Sequence, residues 1–112
     1  MSMKPAYSVK MLDAQSADET KSTVIGPGLA PNSQEHVFYA EWSTGVSAGV
    51  VEIEEAPYAE YSGTWVGVAT LTYSAGSPII QVSHKSGCYM ALRARISTAV
   101  AGGTVTVHYC GN

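Results

Sequence analysis

Charge is what this sequence has least of. Six Lys and Arg and nine Asp and Glu make up 13% of 112 residues, against about a quarter in an ordinary globular domain. The basic residues are scattered, with Lys10, Lys21, Lys85, Arg93 and Arg95 far apart or single. No clustered cationic footprint for nucleic acid is present. Long apolar runs are also missing, and none approaches the ~20 residues a spanning helix needs. Met1 to Lys10 has no apolar core of the secretory kind, so synthesis in the cytoplasm and no membrane partner are expected. Helical periodicity is absent as well. Asp13 to Thr20 is the best place for a single helical turn, and it has no apolar stripe.

What is abundant is alternation. Apolar residues reach 46% of the chain, and they recur at every second position in short runs separated by Gly, Pro and Asn. Such runs are half-buried strands. Eight candidates follow one another: Tyr7 to Leu12, Thr20 to Ile25, Glu35 to Trp42, Val50 to Glu55, Thr64 to Tyr73, Ile79 to His84, Tyr89 to Ser97 and Thr104 to Cys110. Gly26-Pro27-Gly28 closes the second, since it cannot continue a ladder. The expectation is an all-β antiparallel sandwich, jelly-roll-like, of about eight strands, with 1–112 a single domain. A chain this long buries roughly 65% of its unfolded surface, enough for one two-layer core. Phe38, Trp42, Ile53, Trp65, Leu71, Leu92, Ile96, Val105 and Val107 are the expected core.

The last two runs, joined by Gly102-Gly103, read as a hairpin. Register by apolar matching sets Ile96 opposite Val105, Ala94 opposite Val107 and Leu92 opposite Tyr109. Cys88 then shares the inner face and Cys110 the outer face, with Thr106 and His108. Side chains on opposite faces of one sheet cannot form a disulfide. Two free thiols are expected, as in a reducing compartment.

Chemistry-bearing clusters are hard to find. His36, His84 and His108 lie on different strands without metal-ligand spacing, and are expected at the surface or in an interface, with His108 facing Arg93. Glu52 and Glu54 share a strand face about 7 Å apart. That is a separation two glycosidase carboxylates can have, but one flat strand offers no cleft, and a solvated face is the plainer reading. No G-x-S-x-G elbow, phosphate loop or calcium loop occurs. No catalytic residue, cofactor or metal is assigned, and the chain is not expected to be an enzyme.

Contact surfaces are better candidates. Tyr58 and Tyr61 precede Gly63, and tyrosine gives large contact area at low entropic cost. Thr64 to Tyr73 sets Trp65, Ala69 and Leu71 on one face, and Val66, Val68 and Thr70 on the other. It reads either as a central strand covered on both sides or as one whose outer face meets another subunit. Tyr58, Tyr61, Val66 and Val68 are therefore the candidate interface.

The segments Tyr61-Ser62-Gly63-Thr64-Trp65, Val68-Ala69-Thr70-Leu71 and Leu92-Arg93-Ala94-Arg95-Ile96-Ser97 together resemble small β-sandwich virion proteins of tailed bacteriophages, of the capsid decoration or cement type. The resemblance spans roughly Val37 to Tyr109. It implies binding to a major capsid protein shell, a place on the capsid surface, and a homo-oligomer (a dimer or trimer). The SGTW and VATL segments also look like carbohydrate-binding jelly rolls, the alternative reading. Trp42 and Trp65 have inward parity, which leaves that reading mainly the loop tyrosines.

Overall fold

The computed structural model describes residues 7–22, 24–25, 35–75, 79–87 and 89–111. Seven strands lie in this part of the chain: β1 (Tyr7–Gln15), β2 (Glu35–Trp42), β3 (Ala48–Ala56), β4 (Val66–Thr72), β5 (Ile80–Ser86), β6 (Ala91–Ala101) and β7 (Val105–Gly111). They form two antiparallel sheets, ordered β1-β7-β2-β5 and β4-β3-β6. The expected sandwich is present. The run expected as a second strand, Thr20 to Ile25, lies along the free edge of β6. It bridges Lys21 to Arg95 and Ile25 to Leu92, and it exchanges backbone hydrogen bonds with Leu92, Ala94 and Ile96. Gly26-Pro27-Gly28 lies outside the described residues.

Alternation decides which side of each strand is buried. Phe38, Ala40 and Trp42 of β2, Val51 and Ile53 of β3, Leu92, Ala94 and Ile96 of β6, and Val105, Val107 and Tyr109 of β7 all fill one core. Fully burying each large side chain stabilises by roughly 1.5–3 kcal/mol.

The last two strands do not form a hairpin. β6 pairs with β3, and β7 pairs with β1 and β2, so the Gly102-Gly103 connection crosses from one sheet to the other. Leu92, Ala94 and Ile96 meet the inner face of β7 across the core, not beside it. Gly102 makes the crossing possible. Its φ is +84°, and a Cβ there would stand 2.2 Å from the Gly45 carbonyl oxygen, so only glycine fits. The opposite-face argument for the cysteines therefore loses its premise. Cys110 is free and half-buried, outward like Thr106 and His108, and Cys88 lies outside the described residues.

β4 is likewise not a central strand but a sheet edge, and β6, with 11 residues, is longer. Opposite β3, the register steps from Ile53–Ala69 to Glu54–Gly67, so Val68 is an extra residue on β4. An inserted residue turns everything beyond it to the other face. Leu71 stays in the main core, while Trp65 passes to the outside of the sheet. There it is buried in a second, smaller cluster with Ala56 and Ala91. Val68 packs, partly buried, against the main core, whereas Val66 is 62% exposed, so the two do not form one contact face.

The core also takes in a polar group. His36, expected at the surface, is fully buried. Its Nε2 lies 2.8 Å from the Gly87 carbonyl oxygen, and its Nδ1 lies 2.8 Å from the Tyr109 hydroxyl. A carbonyl can only accept, so Nε2 carries the hydrogen, and neutral Nδ1 accepts from Tyr109. Tyr89 completes the surroundings with its ring edge-on, 4.9 Å from the imidazole.

Candidate functional site

The loop between β3 and β4 brings three of the four candidate contact residues together. Tyr58 is 52% exposed and Val66 62% exposed. The Tyr58 and Tyr61 rings stand edge to face, with centroids 5.4 Å apart, a favourable geometry for aromatic pairs. A turn hydrogen bond from the Tyr61 N–H to the Tyr58 carbonyl, at 3.2 Å, sets their spacing. Gly63 matters here because the Tyr61 ring lies directly over it. A Cβ at that position would come within 2.5 Å of the ring. Glu55, Pro57, Tyr61, Thr64, Val66 and exposed Met90 line a shallow groove at this end of the sandwich.

Tyr61 also packs against buried Trp65. Its indole N–H donates to the Tyr61 carbonyl at 3.0 Å, and the Arg93 guanidinium sits 4.2 Å from the ring centroid, within cation–π range. The ion network continues along the outer face of the β4-β3-β6 sheet. Arg93 Nε donates to Glu54 at 2.8 Å, and Arg95 reaches Glu54 at 3.0 Å, Glu52 at 2.6 Å and Glu19 at 2.7 Å. Burial opposes the charge on Arg95. The hydrogen bond with Glu54 and the charges of Glu54, Glu19 and Glu52 outweigh it and hold the guanidinium above its ordinary pKa.

The expectation that Glu52 and Glu54 simply face water is corrected here. Both are on the outer face, but Glu54 is only 7% exposed, because two arginines close over it. The expected contact between His108 and Arg93 is replaced too. His108 belongs to the other sheet and pairs with Glu41 at 3.0 Å.

The groove walls are mostly aromatic and aliphatic, with the single carboxylate of Glu55 among them. That arrangement suits binding by contact area, with little charge to desolvate. Among the described residues, no three His, Cys, Asp or Glu side chains are grouped to hold a metal ion. Comparison with protein-family models, curated proteins and solved structures gives no match.

Two features of the site were not anticipated. One is Met90, which carries no pattern that points to a surface role. The other is the Arg93–Glu54–Arg95 network. Its spacing was visible, since two glutamates and two arginines each lie two residues apart, but the pairing of β3 with β6 was not.

Proposed function

We propose that this chain is a virion structural protein: a jelly-roll-like capsid decoration or cement protein that binds and stabilises a shell of the major capsid protein. The observation that carries the reading is the exposed apolar surface of Tyr58, Val66 and Met90 around the groove that Tyr61, Val66 and Met90 line. Exposed apolar area with few charges is the usual material of a protein interface. The low overall charge and the resemblance to phage decoration proteins support the same role. The glycan-binding alternative draws less support, because both indoles are turned away from solvent and, among the described residues, only Tyr58 offers an open ring.

Co-sedimentation with assembled shells of the cognate major capsid protein tests the proposal. The wild type is expected to pellet with shells at saturable stoichiometry, and the Tyr58→Ala/Val66→Asp double variant to lose at least tenfold in apparent affinity. A wild type that stays in the supernatant overturns the reading, as does a folded double variant that binds equally well. Glycan-array binding abolished by Tyr58→Ala would transfer the groove to the carbohydrate reading.

A further inference from the structure

A two-sheet sandwich has four lateral strand edges, and three of them here are closed to further pairing. The free edge of β6 is occupied by residues 19–25. β1 breaks register twice, between Lys10 and Leu12 and between Leu12 and Gln15, and β4 carries the insertion at Val68. Bulges and coverings of this kind keep sheet edges from pairing with other chains. β5 has neither. It runs beside β2 through seven consecutive pairs, Glu35–Ser86 to Glu41–Ile80, without a register shift.

The hydrogen-bonding side of β5 is fixed by one bond. The Trp42 N–H donates to the Ile79 carbonyl at 2.8 Å, so odd-numbered residues of β5 face β2. By antiparallel alternation, Ile80, Val82, His84 and Ser86 direct their N–H and C=O groups away from the sheet. Ile80 and Val82 are also 45% and 46% exposed, so open backbone and open apolar side chains coincide.

From this edge we infer that the chain forms a two-fold dimer by antiparallel pairing of β5 with β5 of a second copy, extending the four-stranded sheet to eight strands. Isologous contacts bring like residues together near the axis, which penalises a charged strand. Centred on Ser83, the pairing overlaps the whole strand. It sets Val82 beside the partner's His84 and Lys85 beside the partner's Gln81, so no like formal charges meet. Even-numbered residues meet even-numbered ones, as their outward groups require. Tyr39 and Val37 of β2, directly behind Val82 and His84, continue the row on both sides of the axis.

The contact is small. Seven residues span roughly 23 Å, and the molecule is 18 Å through its shortest extent. That end face falls below the ~800 Å² per partner of a standard stable interface. The dimer is therefore weak and concentration-dependent, with half-association expected at roughly 10–100 μM. It uses a different surface from the tyrosine groove, so it stands or falls separately from shell binding.

Sedimentation velocity in reducing buffer, from low micromolar to about millimolar protein, is the test, with amide hydrogen exchange at both ends of the range. Mass is expected to rise toward two copies, with the amides of Ile80, Val82, His84 and Ser86 slowing together while those of Gln81, Ser83 and Lys85 stay unchanged. Val82→Pro removes an outward N–H without touching the β2 ladder, and is expected to stay folded with association weakened at least tenfold. Val82→Lys keeps the N–H, adds a charge to the edge, and gives the same loss if the proline variant does not fold. A wild type that remains monomeric at every concentration overturns the inference. So does a dimer that folded Val82 variants retain, or that Tyr58→Ala/Val66→Asp abolishes. Slowing of the even-numbered amides only when capsid shells are added would assign the edge to a shell strand instead.

Discussion

The Tyr109 hydroxyl donates to Nδ1 of His36 across 73 positions of sequence, at 2.8 Å and wholly inside the core. Tyr109→Phe leaves that nitrogen without a donor. It is expected to destabilise the fold by about 1–3 kcal/mol, the penalty for an unpaired buried polar group. Urea denaturation measures it. Combined with His36→Phe, the effects should be non-additive by about 0.5–3 kcal/mol. Strictly additive losses would mean that the two rings do not share a bond.

Leu92, near the start of β6, lies on its inner face with no exposure. Leu92→Ala is expected to lower stability by about 2–5 kcal/mol, from lost transfer energy and the cavity left behind. A shift under 1 kcal/mol in the same denaturation assay would place Leu92 outside the core.

Glu54 holds two arginines at once. Glu54→Ala leaves both guanidinium groups without their shared partner. Breaking a buried pair is worth about 3–5 kcal/mol. Since Arg93 and Arg95 keep some contact with water, a loss of about 2–4 kcal/mol is expected. Raising salt to 1 M should change wild-type stability little, because the pairing lies mostly below the screened surface. Thermal melts of the variant and a salt series of the wild type check both points.

Gly63→Ala puts a methyl where the Tyr61 ring lies. The ring must swing out, uncovering Trp65. Tryptophan emission is expected to shift to longer wavelength, and shell affinity to fall, with the main core intact. Unchanged emission would show that the loop absorbs the methyl without moving the ring.

Individual strands were legible because alternation reports burial directly. What alternation does not report is which strand lies beside which. Leu92, Ala94 and Ile96 fit the apolar side of Val105, Val107 and Tyr109 equally well as hairpin neighbours in one sheet or as facing layers of two. Both arrangements bury the same residues, and only the crossing at Gly102 separates them. The face of Trp65 was misjudged for a related reason. One inserted residue, Val68, reverses parity, and nothing in Val68-Ala69-Thr70 marks it as a bulge. His36 was legible in principle, since it shares parity with Phe38, Ala40 and Trp42. Its polarity argued for the surface, and the two partners that make burial tolerable came from distant strands. Tyr58 and Tyr61 were found by residue type alone, whereas the ion network that reaches Trp65 through Arg93 needed the β3–β6 register.

The pairing of β1 with β7 has a consequence for how the molecule is made. Residues 7–15 leave the ribosome well before their backbone partners, residues 105–111. The inner strands β7 and β2 of that sheet also join only when β7 arrives. Until Val105 to Gly111 has been synthesised, that sheet lacks one of its two inner strands, and Phe38 and Trp42 have no completed layer around them. The nascent chain thus carries an open apolar surface until β7 emerges. Long-range strand closure of this kind is slow, and the window before it is when the chain is most exposed to aggregation.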